Sequence, residues 1–140
     1  MAQYATFDSG LAKAVRQSLV HILALAAATS SLDPWHTVGG GGGEPPFIGA
    51  WVNEGAPWQV AQFRKEGDLV RLRGVVQSGS GDIFTLPVRY RPPAGVKFLV
   101  VGNTTTTAST VMIEASTGNV TLMSGSVLQM QLDLCFSITA

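Results

Sequence analysis

A lone cysteine, Cys135, has no partner in the chain, so a disulfide scaffold is excluded. Histidine is almost as scarce. His21 and His36 fall in different segments and form no ligand pair at metal spacing. Charge is thin: charged residues are 13% of the sequence, about half the ordinary ~25%. Nine Lys+Arg balance nine Asp+Glu, so the net charge is zero. A neutral chain carries no electrostatic footprint for nucleic acid or an anionic membrane surface. Long apolar runs are missing too. The longest, Leu19 to Ala28, is ten residues interrupted by His21, against the about 20 that a bilayer requires, so no membrane insertion is expected. Asp8 and the long stretch before that run also argue against a signal peptide. The five glycines Gly39–Gly43 lack the Gly-Lys-Ser/Thr ending of a phosphate loop, and no Gly-x-Ser-x-Gly elbow occurs. No catalytic residue, metal site or cofactor is expected, and the chain reads as a protein that is not an enzyme.

What is present divides by composition. Residues 1–33 hold one glycine and no proline, whereas 34–140 hold fifteen glycines and all seven prolines. The first part reads as a helix from about Asp8 to Ser30, with Asp8 or Ser9 as cap and Pro34 just past the end. Ala12, Val15, Leu19, Ile22, Ala26 and Thr29 repeat at alternating spacings of three and four, the a/d seam of a short coiled coil. The residues beside the seam are also apolar. A helix apolar all round must be surrounded, so residues 1–33 are assigned to oligomerisation or docking, with Val15, Leu19, Ile22 and Ala26 as contacts. A sparsely charged, neutral surface resists association poorly, and that agrees with a subunit of an assembly. Residues 34–46 read as a Pro/Gly linker, because polyglycine loses the most entropy on ordering.

Residues 47–140 read as an antiparallel β-sandwich or jelly roll. Leu128, Met130, Leu132, Leu134, Phe136 and Ile138 alternate with Gln129, Gln131, Asp133, Cys135 and Ser137, the period of a half-buried strand. Val70, Leu72 and Val76 face one way while Arg71 and Arg73 face the other. Glu66-Gly67-Asp68 closes a hairpin between 59–65 and 69–76, and Thr117-Gly118-Asn119 closes another. Val96, Phe98 and Val100 alternate with Lys97, but Leu99 and Val101 make that strand apolar on both faces. Cys135 is expected as an inert thiol on the polar side of the last strand.

Aromatic and arginine side chains are the residues of sugar stacking and of interface hot spots. Trp58, Arg89, Tyr90 and Arg91 are the candidate ligand contacts, with core burial the competing reading for the tryptophans. The acids Glu54, Glu66, Asp68, Asp82, Glu114 and Asp133 read as solvated turn residues. A glycosidase would need two of them about 5–9.5 Å apart.

The ordered set Trp51-Val-Asn-Glu-Gly55, Ala61 to Gly74, Ile83-Phe-Thr-Leu-Pro87, Tyr90-Arg-Pro92, Gly118-Asn-Val120 and Leu132-Asp-Leu-Cys-Phe136 covers about 90 residues. It resembles the C-terminal β-domains of bacteriophage tail-fibre and minor tail proteins. The resemblance implies a virion structural protein, a homotrimer attached to other virion proteins, whose β-domain contacts a host-surface glycan or protein. A capsid decoration or head-fibre protein bound to the shell is the alternative, and a small glycan depolymerase ranks third.

Overall fold

The computed structural model describes residues 10–23, 32–103 and 107–140. The chain forms two compact units, Met1–Leu32 and Asp33–Ala140. In the first, residues 10–23 are a helix, α1. Val15, Leu19 and Ile22 are half exposed, at 50%, 53% and 59%; Ala26 lies outside the described residues. No helix among the described residues is long and apolar enough to cross a membrane.

The strands of the second unit all pair antiparallel. In chain order these are β1 His36–Thr37, β2 Val52–Asn53, β3 Gln62–Glu66, β4 Leu69–Arg73, β5 Val75–Gln77, β6 Asp82–Thr85, β7 Val96–Val101, β8 Ala108–Ile113, β9 Asn119–Ser124, β10 Met130–Gln131 and β11 Leu134–Ser137. They make three sheets, ordered β1-β3-β4-β11, β10-β5-β2 and β6-β9-β8-β7. One apolar cluster joins all three, with Phe63 and Leu72 from the first, Val76 and Met130 from the second, and Phe84, Ile113 and Val120 from the third. Phe63 stacks on Phe84 at 6.0 Å, and Phe98 meets Phe136 at 6.4 Å, so aromatic pairs bridge the layers.

Both expected hairpins form: β3 pairs with β4 and β8 with β9. The expected continuous strands over 69–76 and 128–138 are each broken once. Gly74 separates β4 from β5, and Leu132-Asp133 separates β10 from β11. The two breaks coincide, because Leu132 N–H donates to the Gly74 carbonyl at 2.7 Å. The paired strands therefore bend together and pass from one sheet to the other, the corner of a sandwich. Gly74 has φ +121°, and a Cβ there would lie 2.5 Å from Ala61 Cα and from the Val60 carbonyl oxygen. Alternation survives the bend: Met130, Leu132, Leu134 and Phe136 are all buried.

The segment 34–46 is built into the β unit, contrary to its expected role as a linker. His36–Thr37 pairs with Gln62–Phe63, Val38 is buried and donates its N–H to the Ala61 carbonyl, and Gly39 N–H reaches the Pro45 carbonyl at 2.8 Å. Gly39, Gly41, Gly42 and Gly43 all have positive φ. The glycines serve a closed loop that other residues could not follow. Composition alone does not separate such a loop from a loose tether.

Candidate functional site

Period-2 alternation divides the first sheet into a core face and an outer face. Phe63, Val70, Leu72, Leu134 and Phe136 point inward. Gln62, Arg64, Arg71, Arg73 and Cys135 take the other face. The register sets Arg71 between Arg64 and Cys135, and Arg73 beside Gln62. Trp35 precedes β1 on the same face, with the Arg73 guanidinium 3.7 Å and the Arg64 guanidinium 4.5 Å from its ring centroid. Arg73 is fixed further by donating through Nε and Nη2 to Gln62 Oε1, at 3.0 and 2.7 Å. Gln62 in turn donates to Thr37 Oγ1 at 2.9 Å.

The shared bend makes this face concave. A cleft of about 280 Å³ opens at Gly74, walled by Trp35, Gln59, Arg71, Arg73, Gln131 and Asp133. A second, of about 250 Å³, is walled by Trp58, Val101, Asn103 and Gln129. Val75 and Gln131 line both clefts, so the two adjoin. Trp58 is 52% exposed, whereas Trp51 is buried and donates its indole N–H to the Ser80 carbonyl at 3.3 Å.

The other sequence candidates lie elsewhere and do different work. Tyr90 is 2% exposed, so burial removes it from a free ligand surface. It sits in the 3-10 turn Val88–Tyr90. Its hydroxyl donates to Asp33 Oδ2 at 2.7 Å, meets His36 Nε2 at 2.8 Å and accepts from Arg89 Nη2 at 2.6 Å. His36 reaches Glu44 through Nδ1 at 2.9 Å and Asp33 through Nε2 at 3.1 Å. Lys65 N–H donates to Asp33 Oδ2 at 3.0 Å. Burial pushes the Asp33 carboxyl up, but the hydrogen bonds from Tyr90, Lys65 and His36 outweigh it and hold the group below its ordinary value. Burial pushes His36 down, and the bonds to Glu44 and Asp33 outweigh that in turn, holding it above its ordinary value. Burial, then the bond to Asp33, push Tyr90 up to about 12 against the opposing pull of Arg89, so it remains a donor at neutral pH. This network ties the start of the unit and the end of the glycine loop to the core.

Arg91 is also a structural residue. Its Nε donates to the Leu86 carbonyl at 2.9 Å and its Nη1 to the Ser116 carbonyl at 2.8 Å. It packs under Gly118, where a Cβ would lie 2.4 Å from Arg91 Nε. Leu86 N–H donates to the Gly118 carbonyl at 2.8 Å, which brings Phe-Thr-Leu-Pro, Tyr-Arg-Pro and Gly-Asn-Val together as one clasp. Arg89 alone of that triplet has an open side chain, 68% exposed. Among the acids, Glu66 pairs with Arg64, Asp82 accepts from Asn119 and Thr121, and Glu114 accepts from Ser116 and Thr117. No group of three His, Cys, Asp or Glu that could hold a metal occurs among the described residues.

This arrangement has a counterpart among solved structures. The chain shares the fold of a phage receptor binding protein. It is similar to the crystal structure of the receptor binding protein (gp15) of Listeria phage PSA, with a TM-score of 0.67 and 20% sequence identity, over 92% of this chain and 79% of that chain. At that identity the likeness is one of fold. No protein-family model matches the sequence, and neither does any curated protein.

Proposed function

We propose that the chain is a phage virion structural protein that contacts the host surface through the β unit. The observation that carries the reading is the fold likeness to a phage receptor binding protein across 92% of this chain. The adjoining clefts with Trp35 and Trp58 support it, because a displayed aromatic beside arginine and amide side chains is the composition of binding hot spots. The helix trimerises the chain or docks it on another virion protein. Half-exposed Val15, Leu19 and Ile22 support that role, since an uncovered apolar seam marks an interaction surface. A second apolar area supports a homotrimer. Leu99 and Val101 on the edge strand β7 are exposed, as is Met123 on β9 of the same sheet.

The test is retention of the purified protein on envelopes of the bacterial host, with soluble products followed in the same tube. Retention without released fragments is the expected outcome. Released glycan fragments would make the protein a depolymerase. No retention on envelopes, together with binding to purified heads, would move it to the capsid surface.

A further inference from the structure

The Trp35 cleft has a chemistry of its own, distinct from the Trp58 cleft beside it. Its wall joins one aromatic ring, two guanidinium groups, two primary amides and one carboxylate: Trp35, Arg71, Arg73, Gln59, Gln131 and Asp133. The aromatic ring and Arg73 are already held, Arg73 by Gln62 and by the ring itself. Arg73 spends its hydrogen bonds there on a neutral amide, which leaves its charge unbalanced. The Arg71 side chain makes no hydrogen bond or ion pair among the described residues. It also lies directly opposite Arg64 in the register, and like charges facing each other across strands destabilise a sheet. Arg64 is the one with a counter-ion, Glu66. The sheet thus holds an uncompensated cation at the mouth of a cleft, in a chain with few charges to place. Asp133 is the opposing charge in the wall and makes no bond among the described residues either.

We propose that this cleft binds a saccharide bearing an acidic group, phosphate or carboxylate. The reading rests on the receptor-binding function above and names its ligand class. Planar guanidinium groups match the oxygens of a phosphate or carboxylate in a way that a point charge does not. The part of the Trp35 ring that lines the cleft, beside the Arg73 guanidinium stacked on it, offers an apolar contact for the sugar ring. Gln59, Gln131 and Asp133 supply donors and acceptors for ring hydroxyls, and the carboxylate disfavours a compact anion with no hydroxyls to offer. Because Val75 and Gln131 also wall the Trp58 cleft, a second sugar unit of a chain has a place to continue.

The protein has three tryptophans, so three indole N–H signals report on the clefts in an NMR titration of the full chain. The probes are glucose, glucose 6-phosphate, glucuronate and inorganic phosphate, at concentrations up to those suited to millimolar binding. The Trp35 signal is expected to move with both acidic sugars, while that of Trp51, bonded to Ser80, stays still. Glucose and inorganic phosphate are each expected to bind about tenfold more weakly, the share of one charge-assisted contact. R71Q, on an exposed side chain that holds nothing in the fold, should lower affinity for the acidic sugars by a similar factor and leave glucose unchanged. The stronger of the two acidic sugars identifies the group as phosphate or carboxylate. Equal binding of glucose and the acidic sugars, or a Trp35 signal that no sugar moves, overturns the proposal. Envelope retention separates its failure from that of the underlying function. Retention that persists unchanged in R71Q sinks the cleft but leaves receptor binding standing, whereas sugar binding without any retention keeps the cleft and removes the receptor role.

Discussion

Replacing Asp33 by Ala tests whether the network around His36 and Tyr90 holds the glycine loop to the core. Asp33 Oδ2 accepts from the Tyr90 hydroxyl at 2.7 Å and from Lys65 N–H at 3.0 Å, and Oδ1 accepts from His36 Nε2 at 3.1 Å. A hydrogen bond to a charged group contributes about 1.5–3 kcal/mol. The sum is reduced here, because Tyr90 keeps contacts with His36 and Arg89 and the carboxylate is not wholly buried. A loss of roughly 3 kcal/mol follows. For a unit of this size each kcal/mol shifts Tm by about 4 °C, so a fall of roughly 12 °C is expected in a circular-dichroism melt. D33N should lose about half as much, since an amide oxygen still accepts from Lys65 or Tyr90. D133A, at an exposed side chain without a partner, should stay within about 0.5 kcal/mol of the parent. The histidine gives an independent readout: removing one of its two carboxylate partners should lower the NMR-detected pKa of His36. A D33A melt within about 3 °C of the parent, with the His36 titration unmoved, would refute the account of the network.

Three further outcomes are expected. Asp33, held below its ordinary 3.8, adds stability above that value that is lost as pH falls through its folded pKa; His36, held above its ordinary 6.5, adds stability below that value that is lost as pH rises through its folded pKa. Tm should therefore peak between about pH 4 and 6.5, and H36Q should remove the alkaline-side decline. G74A should cost about 3 kcal/mol or more, since the backbone sits at positive φ and the new Cβ meets backbone atoms, whereas G41A, with open space around it, should cost about 1 kcal/mol; chemical denaturation measures both. The L19D/I22D double variant would bury unpaired charges at a cost of several kcal/mol in any assembly built on α1. Its sedimentation should show monomer or aggregate, and an unchanged oligomer would exclude the helix as the assembly element.

The strands were legible because burial imposes a period of two, and the alternation at Val70–Arg73 and Met130–Phe136 shows it directly. The bend between them was not, since on the 128–138 side alternation runs through it without a break. It is recorded only in the glycine at 74 and in a hydrogen bond to a residue 58 positions later. The same limit hid the Trp35 cleft. Arg71 and Arg73 could be placed on one face from sequence, but bringing Trp35 to the same cleft depends on β1 pairing beside β3. Arg89-Tyr90-Arg91 drew attention as an aromatic flanked by cations. That composition serves a buried clasp as well as a binding surface, and only the partners Asp33, Leu86 and Ser116 tell the two apart. The glycine run was misleading for a related reason. Entropy favours a loose tether, yet the His36–Glu44 pair and the buried Val38 close the loop instead.

The sandwich corner has a consequence for how such a surface changes over generations. Around the bend, wall residues and core residues alternate along 70–73 and along 130–134: Arg71, Arg73, Gln131 and Asp133 stand outside, while Val70, Leu72, Met130, Leu132 and Leu134 stand inside. Substitutions at exposed positions without structural partners usually alter stability by no more than about 0.5 kcal/mol. Selection can therefore exchange the wall at Arg71, Gln131 and Asp133 one residue at a time without disturbing the hydrophobic layer beneath. Arg73 and Trp35, which brace each other, would have to change together. On the proposed receptor-binding function, a lineage under pressure to adopt new hosts has several freely adjustable positions and one coupled pair, and sequence divergence should concentrate at the former long before it reaches the latter.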